Sequence, residues 1–140
     1  MSESLRVVVH SCAAPQGSKR HVGGGRMIES CKRVKPFRQD VKSAALEAKP
    51  EGWKMDGPFF IRVHFLFKRP KSHYTSKGAL TKSAPLYPTG RNIGDIEKLL
   101  RAVHDALSEA LFTDDSQVVE CHCLKTYAAE PATIITLDHV

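Results

Sequence analysis

No apolar run in the 140-residue chain reaches ten residues, so no segment approaches the roughly 20 apolar residues of a membrane-spanning helix. The N-terminus, MSESLRVVVHS, has neither a long apolar stretch nor a small-residue cleavage site. That argues against a secretory signal and makes a cytoplasmic protein with no membrane partner the expectation. None of the four cysteines pairs at C-x-x-C spacing. Cys121 and Cys123 flank His122, but on a strand residues two apart share a face and the one between points away. Zinc ligands come as well-spaced pairs, so Cys12, Cys31, Cys121 and Cys123 read as buried cytosolic thiols. Gly23-Gly24-Gly25 lacks the surrounding GxxxxGK-Ser/Thr pattern of a phosphate loop and reads as a hairpin tip, with arms at 19–22 and 26–29. The seven histidines are scattered, with His64 and His104 read as structural, and neither Ser18 nor Ser116 has triad partners at suitable spacing.

A further absence is more informative. Residues 58–91 contain seven Lys and Arg and no acid. Residues 1–57 carry 11 bases against six acids, whereas residues 92–140 carry three against nine. The net charge of +6 points to a polyanionic partner. A uniformly basic binder has no use for an acidic segment, but a nuclease that holds a metal through carboxylates does. With 41% apolar and 26% charged residues, the chain is globular and of a length for one domain spanning residues 1–140.

Periodicity outlines the fold. Residues 5–9 read as a short strand. Residues 36–49 read as a helix with Pro36 in its first turn, Phe37, Val41, Ala44, Ala45 and Ala48 on one face, and Lys35, Arg38, Lys42 and Lys49 as a basic stripe beside it. PFFIRVHFLF at 58–67 has the aromatic and β-branched content of a central strand. Residues 68–92 have little periodicity and predict a long basic loop that orders on its ligand. The spacing of Ile96, Leu99, Leu100, Val103, Leu107, Ala110 and Leu111 predicts a helix over 95–111, with Asn92 and Asp95 as a capping pair. Strands follow at 117–126 and 132–139. The fold class is α+β: a mixed or antiparallel sheet with two helices packed on it.

Acidic residues bracket the second helix. Asp95 and Glu97 lie at its mouth, and Asp114 and Asp115 lie in the turn after it. A straight helix of 17 residues is roughly 25 Å long. Asp115 therefore rejoins Asp95 only if the chain returns along the next strand or a second subunit supplies the partner. Asp114 reads as a turn or cap residue. Glu97 and Arg101, four apart, suit either a surface ion pair or a phosphate-facing base, with Asp105 supporting Arg101 one turn on.

Residues 91–119, RNIGDIEKLLRAVHDALSEALFTDDSQVV, resemble the core motif of the RusA family of Holliday-junction resolvases: two acids one residue apart, a basic residue, Asp-Ala-Leu, then Asp-Asp-x-Gln-Val. Pro15-Gln16-Gly17-Ser18-Lys19-Arg20 and the later Lys-Pro-Phe-Arg helix start are similar to phage and actinobacterial members, so the resemblance covers nearly the whole chain. It implies a RusA-like fold and metal-binding acids at Asp95, Glu97 and Asp115. It also implies a catalytic, positively charged residue at Arg101, with Mg²⁺ as cofactor and Mn²⁺ as substitute. Glu97 stands where the family has Asp, Lys98 where Asn is frequent, and Arg101 where Lys is found. The implied activity is an endonuclease that nicks a four-way DNA junction in two symmetric places, for which a homodimer is the economical geometry. DNA would be held by Lys19, Arg20, Arg33, Lys35 and Arg38 and by the loop bases Arg69, Lys71, Lys77 and Lys82. Two rivals remain open: a non-catalytic junction-binding relative, and a basic RNA-binding module.

Overall fold

The computed structural model describes residues 4–17, 19–21, 27–29 and 32–140. Four strands form one sheet in the order β1-β6-β4-β5, where β1 is Ser4–Val9, β4 is Phe59–Lys68, β5 is Val118–Ala128 and β6 is Ala132–His139. The β4–β5 pair is parallel and the other pairs are antiparallel, so the sheet is mixed. A parallel neighbour requires a crossover connection. Helix α2 (Ile96–Leu107) lies within that crossover, and α1 (Val34–Ala48) packs beside it. A separate short ladder joins β2 (Lys19–His21) to β3 (Met27–Glu29). These are the two hairpin arms expected from the sequence; Gly23-Gly24-Gly25 and Cys31 lie outside the described residues.

One face of the sheet makes the core. Alternation along β1 and β4 buries Leu5, Val7 and Val9 with Ile61, Val63, Phe65 and Phe67. Helix α1 closes over them with Phe37, Val41 and Ala45, and α2 with Leu99, Val103 and Leu107. At one end of the sheet, Phe59 is fully buried among Trp53, Phe112 and His139, with ring centroids 6.0, 5.8 and 4.6 Å away.

Two expectations about α2 change. The helix ends at Leu107, not at residue 111. Glu109 takes a left-handed φ of 70°, and its N–H donates to the Phe112 carbonyl, closing a tight turn. Ala110 and Leu111 are still fully buried, so the apolar pattern was a true core signal carried by a turn. The Trp53 indole N–H fixes that turn by donating to the Leu111 carbonyl at 2.8 Å. At the other end Asn92 does not cap the helix; Asp95 occupies the N-cap position, without a side-chain cap hydrogen bond.

Segment 68–92 is also better organised than its sequence predicts. A 3₁₀ turn spans Lys71–His73, Tyr74 bridges Leu80, and the Thr81 N–H donates to the His73 carbonyl at 2.9 Å. Arg69 ties the two ends of the segment through the Pro85 carbonyl at 2.7 Å.

The cysteine reading holds in part. Cys121 and Cys123 share the half-buried face of β5, with Sγ atoms 3.4 Å apart, and His122 is exposed on the other face. Burial first, then the hydrogen bond shared with Cys121, pushes the Cys123 thiol up to about 12, an inert group at neutral pH. Cys12, in contrast, is exposed.

Candidate active site

The N-terminal end of α2 gathers chemistry from four segments. Gly94 precedes it with φ of +103°, a conformation that suits glycine. A Cβ at Gly94 would sit 2.7 Å from Pro15 side-chain atoms, so the bare backbone admits the Pro15-Gln16 segment against the helix. The Gln16 N–H then donates to the Lys98 carbonyl at 3.0 Å. The Lys125 ammonium donates to the Gly94 carbonyl at 3.1 Å, and the Arg33 guanidinium donates to the Asn92 carbonyl at 3.3 Å. The acids at this end thus stand on backbone held from β5, from the residue before α1 and from the segment after β1.

Gly94→Ala is expected to lower stability by about 1–3 kcal/mol, the range for a residue forced into a sparsely populated conformation. Gly52→Ala is the control, because Gly52 also has a positive φ (80°) but nothing lies within 4 Å of its Cβ position. Urea unfolding of both variants isolates the Pro15 contact as their difference. Equal losses would mean that Pro15 does not press on Gly94.

Asp95 and Glu97 are both exposed. An N-cap Asp usually spends its carboxylate on the helix N–H groups. Asp95 does not, which leaves its oxygens available. Its nearest charge partner is Lys98, at 3.9 Å. The two carboxylates are hard oxygen donors of the type that suits Mg²⁺ or Mn²⁺. Arg101 is exposed one turn on from Glu97, and no ion pair among the described residues joins the two. Glu97 and Arg101 both present their side chains to solvent.

Asp105 does not support Arg101. It accepts from Gln16 Nε2 at 2.5 Å and lies 3.9 Å from Arg38. Arg38 in turn donates to Gln16 Oε1 at 2.8 Å. Gln16 is a hub the sequence analysis missed; only its place in the Pro-Gln-Gly-Ser-Lys-Arg stretch hinted at a role. The groove between α1 and α2 is lined by Lys35, Arg38, Lys42 and Asp105.

The far end of α2 holds the remaining acids. Asp114 caps the 3₁₀ turn Asp115–Gln117: Ser116 N–H donates to its carboxylate, and the Gln117 side chain accepts from the Asp114 N–H in return. The Ser116 hydrogen bonds hold the Asp114 carboxyl below its ordinary range. Asp114 is therefore committed to the turn, as expected, and Asp115 is exposed beside it. Asp115 is close enough to His104 for its charge to raise that imidazole's pKa, though burial is the larger effect and lowers it on balance.

The 12-residue helix α2 is about 18 Å long. Asp95 and Glu97 stand at one end and Asp115 beyond the other. Among the described residues no three His, Cys, Asp or Glu side chains converge on a common metal position. Asp95 and Glu97 share one end, then, and a single chain does not bring Asp115 to them.

The expected DNA-binding residues divide into two groups. Lys35, Lys71, Lys77 and Lys82 are exposed. Arg33, Arg38 and Arg69 already hold the fold through the contacts above, and Arg69 also lies 4.3 Å over the Tyr127 ring. Lys19 and Arg20 lie on β2.

The family model described as endodeoxyribonuclease RusA matches residues 10–138. An uncharacterized protein of Bacillus subtilis (strain 168), YqaN, is 33% identical over 128 residues, covering 90% of this chain and 87% of its own length.

Proposed function

The chain belongs to the endodeoxyribonuclease RusA family, and we propose that it is a structure-specific nuclease that resolves four-way DNA junctions by paired nicks. The observation that carries this reading is the exposed carboxylate pair, Asp95 and Glu97, at a helix N-terminus, with an exposed Arg101 one turn away. Asp95 and Glu97 would hold a Mg²⁺ or Mn²⁺ ion, which supplies an activated water and charge neutralisation at the phosphate. Arg101 presents a planar fork to a non-bridging phosphate oxygen and stabilises the charge that develops there. The backbone N–H groups at the start of α2 add to the same anion-favouring field.

A homodimer completes the site. If two copies of α2 run antiparallel about a two-fold axis, Asp115 of the partner subunit meets Asp95 and Glu97, and two equivalent sites result. The exposed surface of α2 carries Ile96, 38% exposed, with half-buried Leu100 one turn on, an apolar strip suited to such a crossing.

One observation favours the non-catalytic alternative: Lys98 sits 3.9 Å from Asp95 and competes with a metal for its charge. A single assay separates the two. The protein is incubated with a synthetic mobile four-way junction and with a linear duplex of the same sequence, in Mg²⁺, Mn²⁺ or EDTA. Symmetric, metal-dependent nicking of the junction alone is the expected result. Tight junction binding with no nicking in either metal would assign a binding protein instead.

Junction affinity is expected to fall steeply with salt, with a log–log slope steeper than about −3, because each phosphate contact contributes roughly −0.9. Replacing Lys71, Lys77 and Lys82 together by Gln should flatten the slope by about 2–3. An unchanged slope, read by anisotropy titrations at several salt concentrations, would remove segment 68–92 from the interface.

A further inference from the structure

Between segment 68–92 and the end of β5 lies a cavity of about 410 Å³, within the range of roughly 300–1,000 Å³ typical of small-ligand sites. Lys68, His73, Asn92, Ile93 and Tyr127 line it. Asn92 is three residues before Asp95, so the cavity opens beside the end of α2 that carries the carboxylates.

The wall is built rather than incidental. Arg69 lies over the Tyr127 ring at 4.3 Å, and the His73 ring meets Tyr127 edge-on at 5.4 Å. Arg69 Nη1 also lies 3.3 Å from His73 Nδ1. The backbone of Asn92 is fixed by Arg33, and the Ile93 N–H donates to the Gly90 carbonyl at 3.0 Å. Among the described residues no acid lines the cavity, and Lys68 is exposed at its edge. An aromatic ring, an amide and a cation without a carboxylate are the groups that hold a nucleotide: the ring stacks the base, the amide reads its edge and the ammonium meets the phosphate.

We propose that this cavity receives one unstacked nucleotide from the branch point of the DNA, next to the strand that is cut, and that Asn92 reads its base. A branch point is where unstacking costs least, because the stack is already interrupted. The sequence preference of cleavage then originates here and not at the carboxylates. This inference rests on the nuclease reading above.

The test uses four-way junctions that differ only in the base pair at the branch point, with 2-aminopurine placed there in a second set. Wild-type protein should cut some of the first set better than others. Asn92→Ala should shrink that preference by about fivefold or more, the worth of one amide–base contact, and leave junction affinity within about threefold. Tyr127→Leu keeps apolar bulk and removes the ring. In an Asp115→Asn background, which binds without cutting, Tyr127→Leu should abolish the rise in 2-aminopurine emission that unstacking gives. Asn92→Ala with its preference intact, or emission that never rises on binding, would overturn the nucleotide pocket and leave the nuclease reading standing. A wild-type protein that neither binds nor cuts junctions would overturn both.

Discussion

Asp115→Asn is expected to lower junction cleavage by about 10³-fold or more, equivalent to about 4 kcal/mol of transition-state stabilisation, while junction binding changes by less than about threefold. Asp115 is exposed and its side chain makes no described hydrogen bond, so the variant should fold normally. Asp95→Asn should behave alike. The informative experiment mixes the two variants. If Asp95 and Asp115 act within one chain, every site in a mixed dimer is damaged and activity stays absent. If they meet across a two-fold axis, the mixed dimer has one site with both losses and one site intact. Mixing should then restore single-strand nicking of the junction but not paired resolution. Mixed dimers without any nicking would refute the shared site and require Asp115 to reach Asp95 by some rearrangement within the chain.

The largest stability effect is expected at Phe59. The ring is fully buried and touches three other rings, so Phe59→Ala should cost about 3–5 kcal/mol. Domains of this size have a total stability of about 5–15 kcal/mol, so the variant would lie close to unfolding. Phe60→Ala is the matched comparison. Phe60 lies on the other face of the sheet, half-buried, beneath Arg62 at 4.9 Å, and its loss should cost less than half as much. Urea midpoints of the two variants decide this. Equal costs would mean that the Trp53–Phe59–Phe112–His139 cluster is no better packed than the open face.

The elements of this fold could be read from local patterns because each has one buried stripe. Helix α1, β4 and the last two strands fall within two or three residues of their expected limits. The end of α2 could not be read, because Ala110 and Leu111 are buried at helical spacing while the backbone has already turned at Glu109. Local periodicity reports burial, and here a turn held by Trp53, 58 residues away, supplies the burial. The same limit applies to the site. The cap role of Asp114 was legible through turn chemistry, whereas Asp95, Glu97 and Arg101 were singled out by the motif alone. The Gln16–Arg38–Asp105 network was not, since its members lie 22 and 89 residues apart along the chain. Nothing in the sequence marked Tyr127 or His73, which acquire meaning only when segment 68–92 folds against β5.

The strand order has a consequence for synthesis of the chain. The central strand β4 has β6 and β5 as its two neighbours, and both follow it in sequence. At roughly 5–20 residues per second, the ribosome completes β6 about 4–14 s after β4. Both edges of this apolar strand stay open until β5 is made and one edge stays open until β6 is made, a situation that invites pairing between nascent chains. Arg62 interrupts this strand, Lys68 ends it, and Arg69 and Lys71 follow at once, with no acid to neutralise them before residue 95. Positive charge at and beside an apolar strand suppresses such pairing. The bases of segment 68–92 thus guard the unfinished sheet before the protein has a ligand to bind.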